Sequence, residues 1–150
     1  MQIPLIQQEN DYYCGPAIIE MILGAYGKKI TQNEAAKLAG TTEAVGTSLD
    51  GLIDALRKEG FSIDVAENRT IDDLQHALQS DEIVIVNYTE PVWEWGHYAI
   101  AEKIDGDTVT LIDPDSRTGR TSMLIEEFER RWKDPLFTKA TRWAAFVSKK

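Results

Sequence analysis

The sequence predicts an α+β fold, with helices mainly in the first half of the chain and an antiparallel sheet in the second. Up to about residue 80, apolar residues recur at helical spacing between capping signals. Beyond that point, short apolar or alternating segments and a hairpin signal are typical of strands. Because the two kinds of element are largely segregated along the chain, the class is α+β.

Composition and charge narrow the classes of protein to which the chain can belong. Its 150 residues are 43% hydrophobic, enough for one domain with its own core, which we expect to span 1–150. The net charge of −9 argues against nucleic acid or an anionic membrane surface as the main partner. No apolar segment approaches the ~20 residues that span a bilayer, and the N-terminus lacks a secretory signal. We therefore expect a cytoplasmic protein without a membrane segment, with a domain excised from a longer protein as the alternative.

Helix signals follow one another through the first half of the chain. Helices are predicted from Cys14 to Tyr26, from the capping box Thr31–Glu34 to Gly40, from Thr47–Ser48 to Gly60, and from Thr70 through Leu78. The segment Gly46–Ser48 is interpreted as a helix cap, with a loop beside a substrate cleft as the alternative. A further short helix is predicted from Leu124 to Trp132.

Strands are predicted at Phe61–Val65, Ile83–Val86, His97–Lys103, Asp107–Asp113 and Arg142–Val147. Ile83–Val86 is a continuous apolar segment bounded by polar residues, which indicates a central strand buried on both faces.

The single cysteine of the chain, Cys14, excludes an internal disulfide, a four-cysteine zinc site and a C-x-x-C redox pair. It lies at the start of the first predicted helix, where free N–H groups and the helix dipole stabilise an anion. A nearby imidazolium would also lower the thiol pKa below its usual ~8.5. Gly15 leaves space beside the sulfur. The alternative is a buried structural cysteine, which the flanking Tyr12–Tyr13 and Gly15–Pro16 disfavour because they indicate a tight approach to the helix.

A predicted hairpin brings a histidine and an aspartate together. If Gly106 is the third residue of a three-residue loop, Ile104–Gly106, then His97 lies opposite Asp113. Directly opposed side chains share a face, with Cβ atoms about 4.5–5.5 Å apart, so the imidazole Nδ1–H could reach the carboxylate as in a catalytic triad. A two-residue Asp105–Gly106 loop would place them on opposite faces. Taken singly, the histidine could instead be a strand-edge residue and the aspartate an Asp-Pro turn former.

Hydrolysis of an amide by a thiol also needs hydrogen-bond donors for the oxyanion. The backbone N–H of the cysteine is one candidate, and the side-chain amide of Gln7 or Gln8 is the other. The candidate substrate-binding residues are Tyr13, Trp93 and Trp95, which adjoin the cysteine and the histidine. Alternatively, the two tryptophans pack beneath their own loop.

Other chemistries find no support in the sequence. His76 lies on a predicted helix and is expected to face solvent, and no close ligand pair such as H-x-x-x-H is present. Neither G-x-x-x-x-G-K-[ST] nor G-x-G-x-x-G occurs. The sequence therefore predicts neither a metal nor a cofactor.

Three segments resemble the papain-like bacteriocin-processing peptidases, which cleave double-glycine leaders and occur in peptide-exporting ABC transporters or as stand-alone relatives. The segments are Gln8–Ala17, Gly96–Ile100 and Asp113–Pro114, and they occur in the order found in that family. The resemblance covers most of the chain. It implies a papain-like fold, with N-terminal helices packed on a C-terminal antiparallel sheet.

The resemblance also implies roles for individual residues. It makes Cys14, His97 and Asp113 catalytic, and it selects Gln8, six residues before the cysteine, over Gln7 as the oxyanion donor. The Cys-Gly-Pro-Ala sequence and the intervening helices resemble the stand-alone branch of the family.

The function expected from these residues is hydrolysis of a peptide or protein substrate by a cysteine peptidase. One alternative is a transferase or deamidase that uses the same acyl chemistry. The other is a non-catalytic module that keeps the fold in order to bind a peptide.

Overall fold

The computed structural model of the chain describes residues 2–136 and 140–150. Its helices are α1 (Cys14–Ala25), α2 (Gln32–Ala39), α3 (Leu49–Lys58), α4 (Ile71–Gln79) and α5 (Ile125–Arg131). Its strands are β1 (Phe61–Ala66), β2 (Ile83–Thr89), β3 (Gly96–Asp105), β4 (Thr108–Ile112), β5 (Arg120–Leu124) and β6 (Ala144–Lys149). The strands form one antiparallel sheet in the order β1-β6-β2-β3-β4-β5. The predicted α+β class is confirmed. None of the helices in the described ranges is long and apolar enough to cross a membrane.

The capping signals of the sequence mark the helix starts correctly. At α2, Thr31 Oγ1 accepts a hydrogen bond from the Glu34 backbone N–H, and the Glu34 carboxylate accepts one from the Thr31 N–H. At α3, Ser48 Oγ accepts from the Gly51 N–H at 3.0 Å. These contacts satisfy N–H groups that have no partner within the helix.

Helices cover both faces of the sheet. The helices α1, α2 and α3 pack on one face, in a core that includes Ile22, Leu56 and Ile85. The helices α4 and α5 pack on the other, around Leu74 and Phe128. The expected packing of N-terminal helices on a C-terminal sheet therefore holds for α1–α3, whereas α4 and α5 lie on the opposite face. As predicted, β2 is buried on both sides.

The register predicted for the β3–β4 hairpin is wrong. Asp105 pairs with Thr108, so the loop is Gly106–Asp107 and not the predicted Ile104–Gly106. Gly106 has a φ of +61°, which suits the left-handed turn that a two-residue hairpin requires.

A β-bulge between Ala101 and Lys103 then changes the register of this hairpin. Ala101 and Ile104 are three residues apart, so in a regular strand they would point to opposite faces. With the bulge, both pack against the core that α4 and α5 cover.

The bulge also determines where the polar ends of the two strands meet. Beyond it, Ala101 pairs with Leu111. Because every second residue shares a face, His97 and Asp113 lie on that same face as diagonal neighbours rather than as the direct pair we predicted.

The sequence analysis missed β5, the edge strand at Arg120–Leu124. Its residues alternate between exposed and half-buried, so the segment has no continuous apolar face to indicate a strand. It pairs with β4, with Leu111 opposite Thr121, and this pairing brings a hydroxyl close to Asp113.

Candidate active site

Cys14 is the first residue of α1 and is half-buried. The preceding Tyr13 provides no side-chain cap for the helix. The N–H groups of the first turn therefore remain available to an anion, and one of them, that of Gly15, hydrogen-bonds the sulfur. Pro16, also in this turn, has no N–H to satisfy.

Gly15 is required by a neighbouring loop rather than by the sulfur. A Cβ built at Gly15 would lie 2.6 Å from Thr47 Cβ. Thr47 is buried, and its carbonyl accepts a hydrogen bond from the Tyr98 hydroxyl at 2.9 Å. The absence of a side chain at Gly15 therefore lets the loop before α3 pack directly against the start of α1, beside Cys14.

His97 and Asp113 form a buried hydrogen bond. His97 Nε2 lies 2.7 Å from Asp113 Oδ1, and both side chains are about 8% exposed. The contact uses Nε2, not the Nδ1 we predicted, and so leaves Nδ1 for the hydrogen bond that His97 makes with Cys14. The structure therefore brings Cys14, His97 and Asp113 together.

Three further donors hold the Asp113 carboxylate. The hydroxyls of Tyr88 and Thr121 each donate to Oδ2 at 3.0 Å, and the Asp115 N–H donates to Oδ1 at 2.9 Å. Tyr88 is fully buried. A tyrosine in a buried strand needs a partner for its hydroxyl, which was the one signal in the sequence that pointed to this contact.

Burial would raise the pKa of Asp113. The hydrogen bond and positive charge of His97, helped by the Asp115 N–H and the Tyr88 hydroxyl, instead lower it to about 2. Asp113 is therefore ionised at neutral pH and can stabilise an imidazolium.

The thiol and the imidazole each shift the pKa of the other in the direction that favours an ion pair. Burial alone would raise the pKa of Cys14, but His97 and the backbone N–H groups of Tyr98 and Gly15 bring it below its ordinary value. Burial alone would lower the pKa of His97, but Asp113 and Cys14 raise it to about 10. Between these two pKa values the pair is a thiolate and an imidazolium, the reactive form of a thiol nucleophile.

Gln8 lies beside Pro114, the residue that follows Asp113. Its backbone N–H donates to the Pro114 carbonyl at 2.9 Å. Its side-chain Nε2 donates one hydrogen to the Asn10 carbonyl at 2.8 Å, which leaves a second hydrogen for another acceptor. Gln7 is exposed instead, and its amide donates to the Ser116 carbonyl.

Gln32, which the sequence analysis did not single out, anchors the segment that carries Gln8. Gln32 is 1% exposed. Its Oε1 accepts from the Glu9 N–H, and its Nε2 donates to the Gln7 carbonyl, each at 2.9 Å. Nε2 also contacts Glu20 Oε1 at 3.0 Å. Hydrogen bonds from a side chain of α2 therefore hold the backbone in this part of the chain, where strand or helix hydrogen bonds are lacking.

The loop before His97 is organised by Glu90. Its carboxylate is buried and accepts hydrogen bonds from the backbone N–H groups of Val92 and Trp93 at 2.7 and 2.6 Å. Trp93 and Trp95 are 63% and 59% exposed, so they do not pack beneath the loop.

A cavity of about 700 Å³ opens beside Cys14. Its walls include Tyr12, residues 43–50 and Trp95. The segment Gly46–Ser48 therefore serves both as a cleft wall and, through Ser48, as the cap of α3. Among the described residues, Tyr13 and Trp93 do not line this cavity, and the Tyr13 hydroxyl donates to Asn33 Oδ1 at 2.9 Å. Their contact with substrate stays a prediction.

The second histidine lies away from this site. His76 is exposed on α4, as predicted. Within residues 2–136 and 140–150, no group of three or more His, Cys, Asp or Glu side chains could hold a metal ion.

Comparison with known proteins relates this site to a family. The family model described as the peptidase C39 family matches residues 2–142. An uncharacterized protein of Methanothermobacter thermautotrophicus is 33% identical over 126 residues, which cover 84% of this chain and 80% of that protein. LagD of Lactococcus lactis, a lactococcin-G-processing and transport ATP-binding protein, is 29% identical over 128 residues, which cover 85% of this chain and 17% of LagD.

The fold has counterparts among solved structures. The peptidase domain of Streptococcus ComA, a bifunctional ABC transporter, matches with a TM-score of 0.75 at 21% identity, over 99% of this chain and 100% of that domain. The papain-like fold that we expected from the resemblance is therefore confirmed. Together with the match of the family model over nearly the whole length, these findings show that the chain belongs to the peptidase C39 family.

Proposed function

We propose that the protein is a cysteine peptidase in which Cys14 is the nucleophile, His97 the proton carrier and Asp113 the carboxylate that orients His97. The observation that carries this proposal is the buried 2.7 Å hydrogen bond between His97 and Asp113, made by a histidine that also hydrogen-bonds the thiol at the start of α1. The family supports the same chemistry.

The reaction proceeds in two acyl transfers. The Cys14 thiolate attacks the peptide carbonyl carbon, forming a C–S bond and an oxyanion. As the C–N bond breaks, the His97 imidazolium gives its Nδ1 proton to the leaving amine. His97 then takes a proton from water, which attacks the thioester. The C–S bond breaks, the acid product leaves, and the proton returns to the Cys14–His97 pair.

The oxyanion is held by the Cys14 backbone N–H and the second Nε2 hydrogen of Gln8. The position of Gln8 beside Pro114 and the unused hydrogen on its amide support this role. In Gln8→Ala we expect kcat to fall by about 10²–10³, as for the loss of other oxyanion donors. Gln7→Ala is the matched control, because Gln7 is exposed and we expect full activity. Equal activity of both variants would contradict the role of Gln8.

The overall proposal is tested with a library of synthetic peptides that includes Gly-Gly sequences, which the family resemblance suggests. Mass spectrometry then identifies new peptide termini. We expect the wild-type protein to hydrolyse some of these peptides and the Cys14→Ala and His97→Ala variants to be inactive. His76→Ala changes the other histidine of the chain, which is exposed on α4, and should be fully active.

The same experiment separates the alternative functions. Adding an excess of a primary amine reveals a transferase if amide products replace acids, whereas loss of a side-chain amide without chain cleavage reveals a deamidase. Peptide binding without any reaction, together with an unreactive Cys14, would identify a binding module and would refute the peptidase proposal.

A further inference from the structure

The cavity beside Cys14 is strongly acidic. Four carboxylate side chains line it, those of Asp11, Glu43, Asp50 and Asp134. No lysine or arginine is present in the part of the lining that the structure describes, and none of the four carboxylates forms an ion pair with a described residue. This wall therefore has a negative charge that the described side chains do not neutralise.

A buried acceptor without a partner lines the same cavity. Asn87, on β2, is 5% exposed, and its Oδ1 has no hydrogen-bond partner among the described residues. A buried carbonyl oxygen of this kind is costly unless a donor reaches it. The four carboxylates of the wall also accept hydrogen bonds and do not donate them. A donor on the substrate would complement these acceptors, and a cationic donor would complement their charge as well.

Asp50, on α3, and Asp134, beyond α5, come from distant segments of the chain and line the cavity together with Cys14. Burial and the nearby charges of Cys14, Asp134 and Asp50 together raise the pKa of Tyr98, which also lines the cavity. Asp134 packs so tightly on β3 that a Cβ at Gly96 would lie 2.6 Å from its carboxylate carbon. A cation held by Asp50 and Asp134 would therefore lie near the reacting sulfur.

The apolar part of the wall suits the stem of a long basic side chain. Val45, Trp95 and Leu136 line the cavity and are 64%, 59% and 82% exposed. Methylene groups of lysine or arginine can pack on such surfaces while the charged end reaches an anionic group. The Trp95 ring can also attract the cation directly.

We propose that this cavity binds a lysine or arginine side chain of the substrate, next to the bond that Cys14 cleaves. The inference rests on the proposed peptidase function and adds to it a substrate class, peptides with a basic residue close to the scissile bond. A cavity of about 700 Å³ is large enough for such a side chain.

The first test uses the cleavage sites found in the peptide library. We expect lysine or arginine to be enriched at one position within a few residues of the cleaved bond. The most frequently cleaved sequence is then synthesised with lysine, norleucine or glutamate at that position. We expect the kcat/KM of the lysine peptide to exceed that of the norleucine peptide by about tenfold, since each of two partly exposed ion pairs contributes about threefold.

The second test removes the charges without changing the size of the side chains. In the Asp50→Asn, Asp134→Asn double variant, we expect the preference for lysine over norleucine to fall to within about twofold, because the kcat/KM of the lysine peptide falls. Asp54→Asn is the matched control, because Asp54 is exposed on the same helix as Asp50 and does not line the cavity. If the double variant does not fold, the wild-type protein is assayed at about 1 M salt, where screening should abolish most of the preference.

Failure of this inference and failure of the proposed function give different results. Cleavage of the library without enrichment of a basic residue, or a preference that the double variant and high salt leave intact, overturns the inference but not the peptidase function. If no peptide is cleaved, the peptidase proposal fails. Binding of fluorescent lysine and norleucine peptides to the protein then decides the inference alone, and equal affinities overturn it.

Discussion

Replacement of Tyr88 by phenylalanine tests how far the fold controls Asp113. The change removes one hydroxyl, which donates to the carboxylate at 3.0 Å from a fully buried position. The ring contacts with His97 and Phe128, at centroid distances of 6.0 and 6.5 Å, are retained. Burial and the Asp113 charge raise the pKa of Tyr88, so this hydroxyl stays protonated and able to donate across the useful pH range.

The magnitude follows from the charge on the acceptor. A buried hydrogen bond to an ionised group contributes about 1.5–3 kcal/mol, so we expect Tyr88→Phe to lower the free energy of unfolding by about 2 kcal/mol at neutral pH. For a chain of this length, that corresponds to a Tm about 4–8 °C lower. Because the pKa of Asp113 is lowered to about 2 in the folded state, the stability that its ionised form contributes is present above pH ~4 and disappears as pH falls through ~2. The effect of Tyr88→Phe should disappear over the same range.

Thermal unfolding followed by circular dichroism across pH measures these effects. Tyr98→Phe is the matched control, because its buried hydroxyl donates to a neutral carbonyl, that of Thr47, and its effect should not depend on acid pH. In an Asp113→Asn background, Tyr88→Phe should cost at least about 1 kcal/mol less than in the wild type. An equal loss in both backgrounds would show that Tyr88 acts by packing and would refute the reasoning.

Further predictions concern the thiol and its surroundings. Iodoacetamide should label Cys14 at pH values below the ~8.5 of a free thiol, because the pKa of Cys14 is lowered, and His97→Ala should abolish this labelling, as mass spectrometry can show. Labelling unaffected by the variant would contradict the ion pair. Gly15→Ala should lower Tm and activity together because the new methyl group meets Thr47, whereas Gly27→Ala, at a φ of +77° with open space around it, should lower Tm modestly and leave activity intact. The His97 pKa of about 10 exceeds the ~6.5 of the unfolded chain, so its contribution to stability should be complete below pH ~6.5 and be lost as pH rises through about 10; a flat alkaline limb in denaturant titrations would contradict this.

Local signals in the sequence were sufficient for most of the helices and strands. Thr31 and Glu34 are three residues apart and cap α2 wherever the helix lies in the molecule, and the apolar segment at Ile83–Val86 can be satisfied only by burial on both faces. The start of α1 at Cys14 belongs to the same class of prediction. Such features depend on residues within about one turn or one strand of each other, and this explains why they could be read without a structure.

The register of the β3–β4 hairpin could not be read in this way. Two loops were weighed for it, and the structure has neither, because the turn lies at Gly106–Asp107 and a bulge follows beside Glu102. The spacing of Ala101 and Ile104 was a signal for the bulge, since a regular strand cannot bury residues three apart on one face. His97 and Asp113 nevertheless share a face, because the bulge offsets the change in loop position.

The sequence by itself determined which groups carry the chemistry: one thiol at a helix start, one histidine at the beginning of a strand and one aspartate at the end of the next. Only the tertiary structure decided which neighbouring groups shift the pKa values of these residues. Tyr88 and Thr121 reach Asp113 from β2 and β5, and Asp50 and Asp134 line the cavity beside Cys14 from α3 and from the chain beyond α5. The physical reason is that the pKa of a buried group depends on every charge and donor within several ångströms, and the fold brings those groups from parts of the chain that no local pattern connects.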